Sequence, residues 1–470
     1  MTLPGTTVGE AILARKGALM NRQALFLIST FALVAAATSG CTAHVIHVDR
    51  SNMLGPWDGT AAHPFETIQD GLNAATLDGE DIVEVHGGVY TENVVMKPGT
   101  TLRRAVDSTT VVVQGSPASP TIQATDRCAV AALLVEGGSV GILLELQGTV
   151  HKGKDGAVIV SNCRIESQNG LHLKTLNNLA FPQGVRHRPE VRILDNWILG
   201  PPGAGTGIRL ELTGPTTGEL SVFLWVKGNV VQDKFSGLIV EATGQGPNPG
   251  GFVRAQFTGT IENNLIFGCA FSAIHLDSKN LGSAGPMIFN NTIADNGQHA
   301  IVAATTAGPD GDDASTHPDV VNNILARNGG YGYVEFGKKT SAGNLSHNLF
   351  FNNTQGHYHD EETGQVINTQ AGLNTPIVGG KVVFAEGSGN VVTDPVFVQG
   401  DFAWYGLSQG PESAGAYFLE QSGTVISPAV DAGLGSAYQA GLHLLSTRVD
   451  FSSDSGTVDL GFHYTKPWKQ

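Results

Sequence analysis

The chain of 470 residues carries 27 Lys and Arg against 42 Asp and Glu, a formal charge of −15. This balance excludes a nucleic-acid backbone as partner, because binding one relies on basic patches that release counterions. Only 15% of residues are charged while 61 are glycine, a mixture that suits many short strands joined by turns, in a few ordinary domains or one elongated repeat domain.

The first predicted element is an export segment over residues 1–41. "MNRQALFLISTFALVAAATSGC" has a basic start at Arg22, an apolar run from Ala24 to Ala37, then small residues and Cys41. Its apolar core fits a secretory signal and is short for a membrane span. Residues 1–19 precede the signal, so either Met1 or Met20 is the start. The closing "TSGC" resembles a bacterial lipobox, whose cysteine is lipidated, although Thr38 stands where Leu is usual. Either Cys41 carries a lipid anchor or the chain is cleaved and secreted. No later segment is apolar enough to span a bilayer, so the mature chain is expected outside the cytoplasm and at a membrane only through that anchor.

Residues 42–125 read as an N-terminal cap followed by the first repeats. Phe65, Ile68, Leu72 and Ala75 fall on one helical face, which predicts a short amphipathic helix. Such a plug covers the apolar core and unpaired strand edges that an open repeat stack would expose.

Over residues 126–354 one pattern recurs: "DRCAV", "SNCRI", "DNWIL", "GNVVQ", "NNLIF", "NNTIA", "NNILA" and "HNLFF". The aligned positions are Cys128, Cys163, Asn196, Asn229, Asn264, Asn291, Asn323 and Asn348, spaced by 35, 33, 33, 35, 27, 32 and 25 residues. These spacings are too variable for a helical solenoid and natural for coils of unequal length. After each of the first seven comes a short apolar strand: "GILLE", "GLHLK", "GIRLE", "GLIVE", "AIHLD", "AIVAA" and "GYVEF".

With these motifs the chain resembles the right-handed parallel β-helix proteins of the pectin lyase-like superfamily. The resemblance implies an all-β solenoid of about ten coils stacked ~4.8 Å apart, with an inward asparagine stack at one turn. Asn196 to Asn348 fit that stack as structural residues. Cys128 and Cys163, one coil apart in the same column, are either disulfide-bonded or two buried thiols. "DGTAAHPFETIQDGLNAA" and the residues after it look like the N-terminal module of bacterial extracellular β-helix proteins. "ISPAVDAG" and "GTVDLGFHY" resemble a C-terminal segment of secreted ones. Residues 355–470 are thus expected to form the last coils and a C-terminal capping region.

Side chains alternate along a strand, so the second and fourth residues of each apolar strand face the core and the third and fifth face out. The outward positions concentrate His172, Lys174, Arg209, Glu211, Glu241, His275 and Asp277 on one sheet. In the enzymes it resembles, this sheet holds the substrate groove, and long loops after it would wall a cleft. His275, Asp277, Arg209 and Glu211 are the expected catalytic residues. His172, Lys174, Arg186 and Arg188 are expected to contact substrate, the last two from "RHRPEVR", which nearly matches a pectate lyase signature with His187 in place of its first Arg. Glu211, Glu241 and Asp277 come from consecutive coils and would repel one another; Ca²⁺ is the expected counter-ion. A solvated ladder screened by Lys174 and Arg209 is the other reading.

The expected partner is an extracellular polysaccharide, uronic-acid containing if calcium takes part, bound by a monomer. It would be cleaved by elimination or by a hydrolase's pair of carboxylates. A non-enzymatic envelope or adhesion scaffold is the alternative. Polygalacturonase signatures are absent, with "NTI" where Asn-Thr-Asp is usual. "HYHDEE" (His357–Glu362) and "DGDD" (Asp310–Asp313) complete no known ligand spacing and read as polar loops. Trp57, Trp404 and Tyr405 are candidates for stacking on sugar rings.

Overall fold

The computed structural model describes residues 43–465 apart from 53–54, 78, 148–156, 177–178, 182–185, 246–253, 307–313, 379–380 and 399–416. The export segment with Cys41, the "DGDD" run, Trp404 and Tyr405 lie outside the described residues.

Each coil contributes one strand to each of three sheets in turn. Sheet I has fifteen strands, from Val45–Val48 to Gly387–Ser388. Sheets II and III have eleven each, running from Gly88–Tyr90 to Val391–Val392 and from Val94–Val95 to Gln365–Ile367. Coil neighbours pair in parallel; only the last pair of sheet III, Gly356–Asp360 with Gln365–Ile367, is antiparallel. Inward residues alternate as predicted: Ile208, Leu210 and Leu212 are buried, as are Leu238, Val240, Ile274 and Leu276 below them. One continuous apolar core runs from Ile46 to Phe384.

The turn from sheet I to sheet II explains the repeated motif. Asn196 donates from its backbone N and its Nδ2 to Asn229 Oδ1, both at 3.0 Å. The same paired bonds link Asn229, Asn264, Asn291, Asn323 and Asn348. The ladder continues through Asn390 to Asn374, beyond the positions the repeat revealed. The residue before each rung has a left-handed backbone: Asn162, Asp195, Asn263, Asn290, Asn322 and His347 have φ of 52–60°. Asn and Asp tolerate that region, and Gly228 serves before Asn229. Cys128 and Cys163 at the head of the ladder are free and buried, as is Cys269, whose backbone N donates to Asn296 on a separate turn, so the two-thiol alternative holds for the first pair. Burial pushes the Cys163 and Cys269 thiols up to about 12.

A second ladder, Asn296–Asn328–Asn353, runs down the turn from sheet II to sheet III. Each member follows a first-ladder asparagine by five residues, a signal present in the sequence. Lys234 fills the equivalent slot further up, fully buried, with its Nζ donating to the carbonyls of Ser167 and Gln168.

The predicted helix spans Ile68–Ala74 and buries Ile68 and Leu72 over the first coils. The Glu92 carboxylate accepts from its first N–H groups, Ile68 N at 2.9 Å and Gln69 N at 3.0 Å. A Cβ on Gly71 would come 2.7 Å from Val48 Cγ2, so the helix needs glycine to sit this close. Phe65 lies ahead of the helix and bridges Val48 instead.

At the other end Ile367, Leu373, Val383 and Phe384 close the core. The segment around 417–465 does not continue the stack; it packs along its flank. Phe418, Leu460, Phe462 and Tyr464 cover the apolar outer face of sheet II at Trp197, Leu265 and Ile324. Ala437, Leu442 and Val458 cover Met287, Phe289 and Val321 on sheet I. Among the described residues no helix is long and apolar enough to cross a membrane.

Candidate functional site

Sheet III presents the outward residues in the columns that strand alternation predicts. His172 pairs in register with Arg209, Arg209 with Ile239, and Ile239 with His275. Two residues along, Glu145, Lys174, Glu211, Glu241 and Asp277 form the adjacent column. Their inward neighbours bury into the core, which fixes the register, since a slip of one residue would invert the face.

The carboxylates of this column are each held by a cation, not left facing one another. Lys174 Nζ is 3.0 Å from Glu145 Oε1, and His172 Nε2 is 3.1 Å from Glu211 Oε2. Arg209 bridges two coils, with Nη2 2.5 Å from Glu241 Oε2 and Nε 3.5 Å from Glu211 Oε2. Lys279 Nζ lies 3.0 Å from Asp277 Oδ2 and 3.4 Å from Glu241 Oε1. The expected calcium cradle therefore takes another form. Arg209 and Lys279 occupy the positions between Glu211, Glu241 and Asp277, and no three acidic, His or Cys groups among the described residues converge as metal ligands. Lys279 escaped the sequence reading because its strand, Ile274–Lys279, runs past the five-residue motif.

His172 and His275 are both shifted toward the neutral form. Burial lowers the pKa of His172, against the opposing bond to Glu211. Burial likewise lowers His275, outweighing the charges of Asp277 and Glu241. Lys279 moves the other way: burial pulls it down, but its bond to Asp277 and the nearby carboxylates outweigh that and raise it. Burial thus favours, for His275 beside Asp277, the neutral imidazole that is able to accept a proton.

Arg186 and Arg188 are not on this face. Arg186–His187 is a short strand that pairs with Glu219–Leu220 at the side of sheet I, and Arg188 is exposed in the connection after it. The proximity expected from the near-match to a lyase motif is absent because the described parts of the long loops add strands to sheet I: Gly282–Ala284 and Ser315–Thr316 do the same. A shallow polar cavity of about 150 Å³, lined by Glu219, Ser221, Arg254, Gln256 and Ser283, lies on this extension and away from the ladder.

Two further regions depart from expectation. "HYHDEE" is not a polar loop; Gly356–Asp360 is a strand of sheet III that sends Tyr358 and Asp360 into the interior. Opposite them stands Glu335, 3% exposed, bonded to the Tyr358 hydroxyl. Beyond Asp277 the polar columns give way to rings. Tyr331 stacks between His299 (centroids 5.6 Å apart) and His359 (4.9 Å), with Phe336 edge-on to His299. In the same part of the sheet the outward Val302 and Val334 are buried. Trp57 is 49% exposed near the N-terminal cap, remote in sequence from this sheet.

The comparisons with known proteins follow the fold. Residues 236–374 match the family model described as right handed beta helix region. The chain is a right-handed parallel β-helix. Similar solved structures include a complex of XylC with xylose, at 9% identity and TM-score 0.35 over 67% of this chain and 85% of that one. Another is the mannuronan C-5 epimerase A-module of Azotobacter vinelandii, at 15% identity and TM-score 0.31 over 62% and 90%. A third is the family 28 exopolygalacturonase of Yersinia enterocolitica, at 12% identity and TM-score 0.27 over 75% and 79%. Likeness at this level assigns no activity or residue role to this β-helix. A comparison with curated protein sequences returns no match.

Proposed function

We propose that this β-helix is an exported protein that binds an extracellular polysaccharide along the outward face of sheet III. The observation that carries the reading is the polar face itself, broken only by Ile239 between Arg209 and His275. His172, Lys174, Arg209, Glu211, Glu241, His275 and Asp277 stand in two registered columns over successive coils, with the aromatic group of His299, Tyr331 and Phe336 at one end. Charged groups at the regular ~4.8 Å strand spacing give an extended chain repeated hydrogen-bond partners. Flanking rings offer apolar contact to sugar carbons. Export rests on the signal-like residues 1–41, followed either by a lipid anchor on Cys41 or by cleavage and secretion.

Within this reading His275 is the group suited to proton transfer, with Asp277 beside it, Glu241 one coil away, and Arg209 and Glu211 both two coils away. Affinity electrophoresis in gels containing single polysaccharides tests binding. Assays for new reducing ends and for unsaturated products separate hydrolysis, elimination and binding alone. Retardation that is lost in Arg209→Ala with Tyr331→Ala supports the reading, and no retardation by any glycan contradicts it. A non-enzymatic envelope scaffold is favoured by one specific observation, the pairing of each ladder carboxylate with a nearby Lys or Arg, and predicts no retardation and no products.

A further inference from the structure

We propose that the face of sheet III selects a neutral polysaccharide and discriminates against polyuronates; this rests on the reading that the face binds glycan at all. A uronate carboxylate is best recognised by an unoccupied guanidinium or ammonium group. Here Lys174, Arg209 and Lys279 already hold Glu145, Glu241 and Asp277, with Arg209 and Lys279 each shared with a second carboxylate.

An incoming uronate would either displace one of these or add a further negative charge beside carboxylates that already share these cations. Taking Arg209 from Glu241 would leave that carboxylate, only 17% exposed, between Glu211 and Asp277 in the same column. Separating a partly buried pair and then stacking like charges both oppose binding. Three of the histidines on this face, His172, His275 and His299, are shifted toward the neutral form, chiefly by burial. At longer range the chain's charge of −15 repels a polyanion. A neutral chain meets none of these costs. Its hydroxyls can donate to the ladder carboxylates and accept from the ammonium and guanidinium groups without breaking a pair. Its ring carbons can rest against Phe336, which is 43% exposed at the aromatic end.

The test uses the full chain in affinity electrophoresis and calorimetry against neutral xylan, glucan and galactan and against polygalacturonate and polymannuronate. Each is measured at low and raised NaCl, with and without Ca²⁺. The expected result is a neutral glycan bound at least about tenfold more tightly than either polyuronate at low salt, with the gap narrowing as salt screens the repulsion. Tighter binding of a polyuronate, with or without Ca²⁺, overturns the inference while leaving the glycan-binding reading intact. Binding of none of the polymers overturns both. Glu241→Gln releases Arg209 and Lys279 and should raise polyuronate affinity by about tenfold relative to the neutral glycan. An unchanged ratio in a variant with wild-type circular dichroism also overturns the inference.

Discussion

Asn263 and Asn264 are adjacent in the chain and bond to opposite sides of the wall. Asn264 points inward and joins the ladder, its Nδ2 2.9 Å from Asn291 Oδ1. Asn263, in the left-handed conformation, points outward and exchanges two bonds with His463, Nδ2 to O at 2.9 Å and His463 N to Oδ1 at 2.7 Å. Asn290 repeats this outward grip on Asp459, and Asn322 on Leu434. The Asn-Asn doublets thus occur in the coils that the C-terminal segment covers, one amide building the wall and the other fastening the segment to it.

Asn264→Ala is expected to destabilise the protein by about 2–4 kcal/mol, because it leaves buried donors and acceptors on both neighbouring coils without partners. Asn263→Gly, which keeps the left-handed backbone, removes only the outward pair and should cost about 1–2 kcal/mol. It should also raise hydrogen exchange in residues 459–464 without disturbing the coils. Chemical denaturation with exchange mass spectrometry checks both.

Arg209 and Lys279 do the neutralising that calcium was expected to do, so Ca²⁺ and chelators should leave the melting temperature of the wild type unchanged. The double variant Arg209→Ala with Lys279→Ala leaves Glu211, Glu241 and Asp277 facing one another and should become stabilised by Ca²⁺. Thermal melts with and without the ion test this. A calcium-dependent rise in the wild type would contradict the ion-pair account.

Glu335 gives a pH dependence with a definite sign. Burial raises its carboxyl to about 9, opposed by the Tyr358 bond and reinforced by Asp360 and Glu362, whereas an unperturbed Glu titrates near 4.5. Between these values the native state holds a proton that the unfolded chain has released, so this group's contribution to stability falls as pH rises from about 4.5 to 9. Glu335→Gln keeps the shape and removes the titration. It should be more stable than wild type by on the order of 3 kcal/mol at pH 7, with the two converging below pH 4.5, the group's unperturbed value. Denaturation midpoints across that range measure the difference.

The strands of sheet III and the first ladder were legible in the sequence because both are periodic: alternation sets the face, and the left-handed turn favours Asn, Asp or Gly before most rungs, with His347 an exception. The ion pairing was not, since Arg209 to Glu241 crosses coils and depends on side-chain reach that spacing does not encode. Glu335 and Asp360 were hidden for the opposite reason. They obey the alternation, but a charged residue in a short motif reads as surface, and only the stacked Tyr333 and Tyr358 rings beside them (5.0 Å between centroids) show that the coil interior continues there. The flank-packed C-terminal segment could not be placed either, because its contacts lie 112–200 residues away in sequence.

Cys128, Cys163 and Cys269 are buried thiols, and burial also raises the pKa of Cys128. They should resist alkylation in the native protein at pH 8 and react on unfolding. Peptide mapping after alkylation checks this, and recovery of a Cys128–Cys163 disulfide would contradict it.

The central claim, that sheet III is the glycan-binding face, is tested most directly by hydrogen exchange of the full chain with and without a saturating polysaccharide. The account predicts protection in Leu171–Thr175, Thr206–Thr213, Ser236–Thr243 and Ile274–Lys279. Protection confined to the C-terminal segment or to the strands added at the side of sheet I would contradict it.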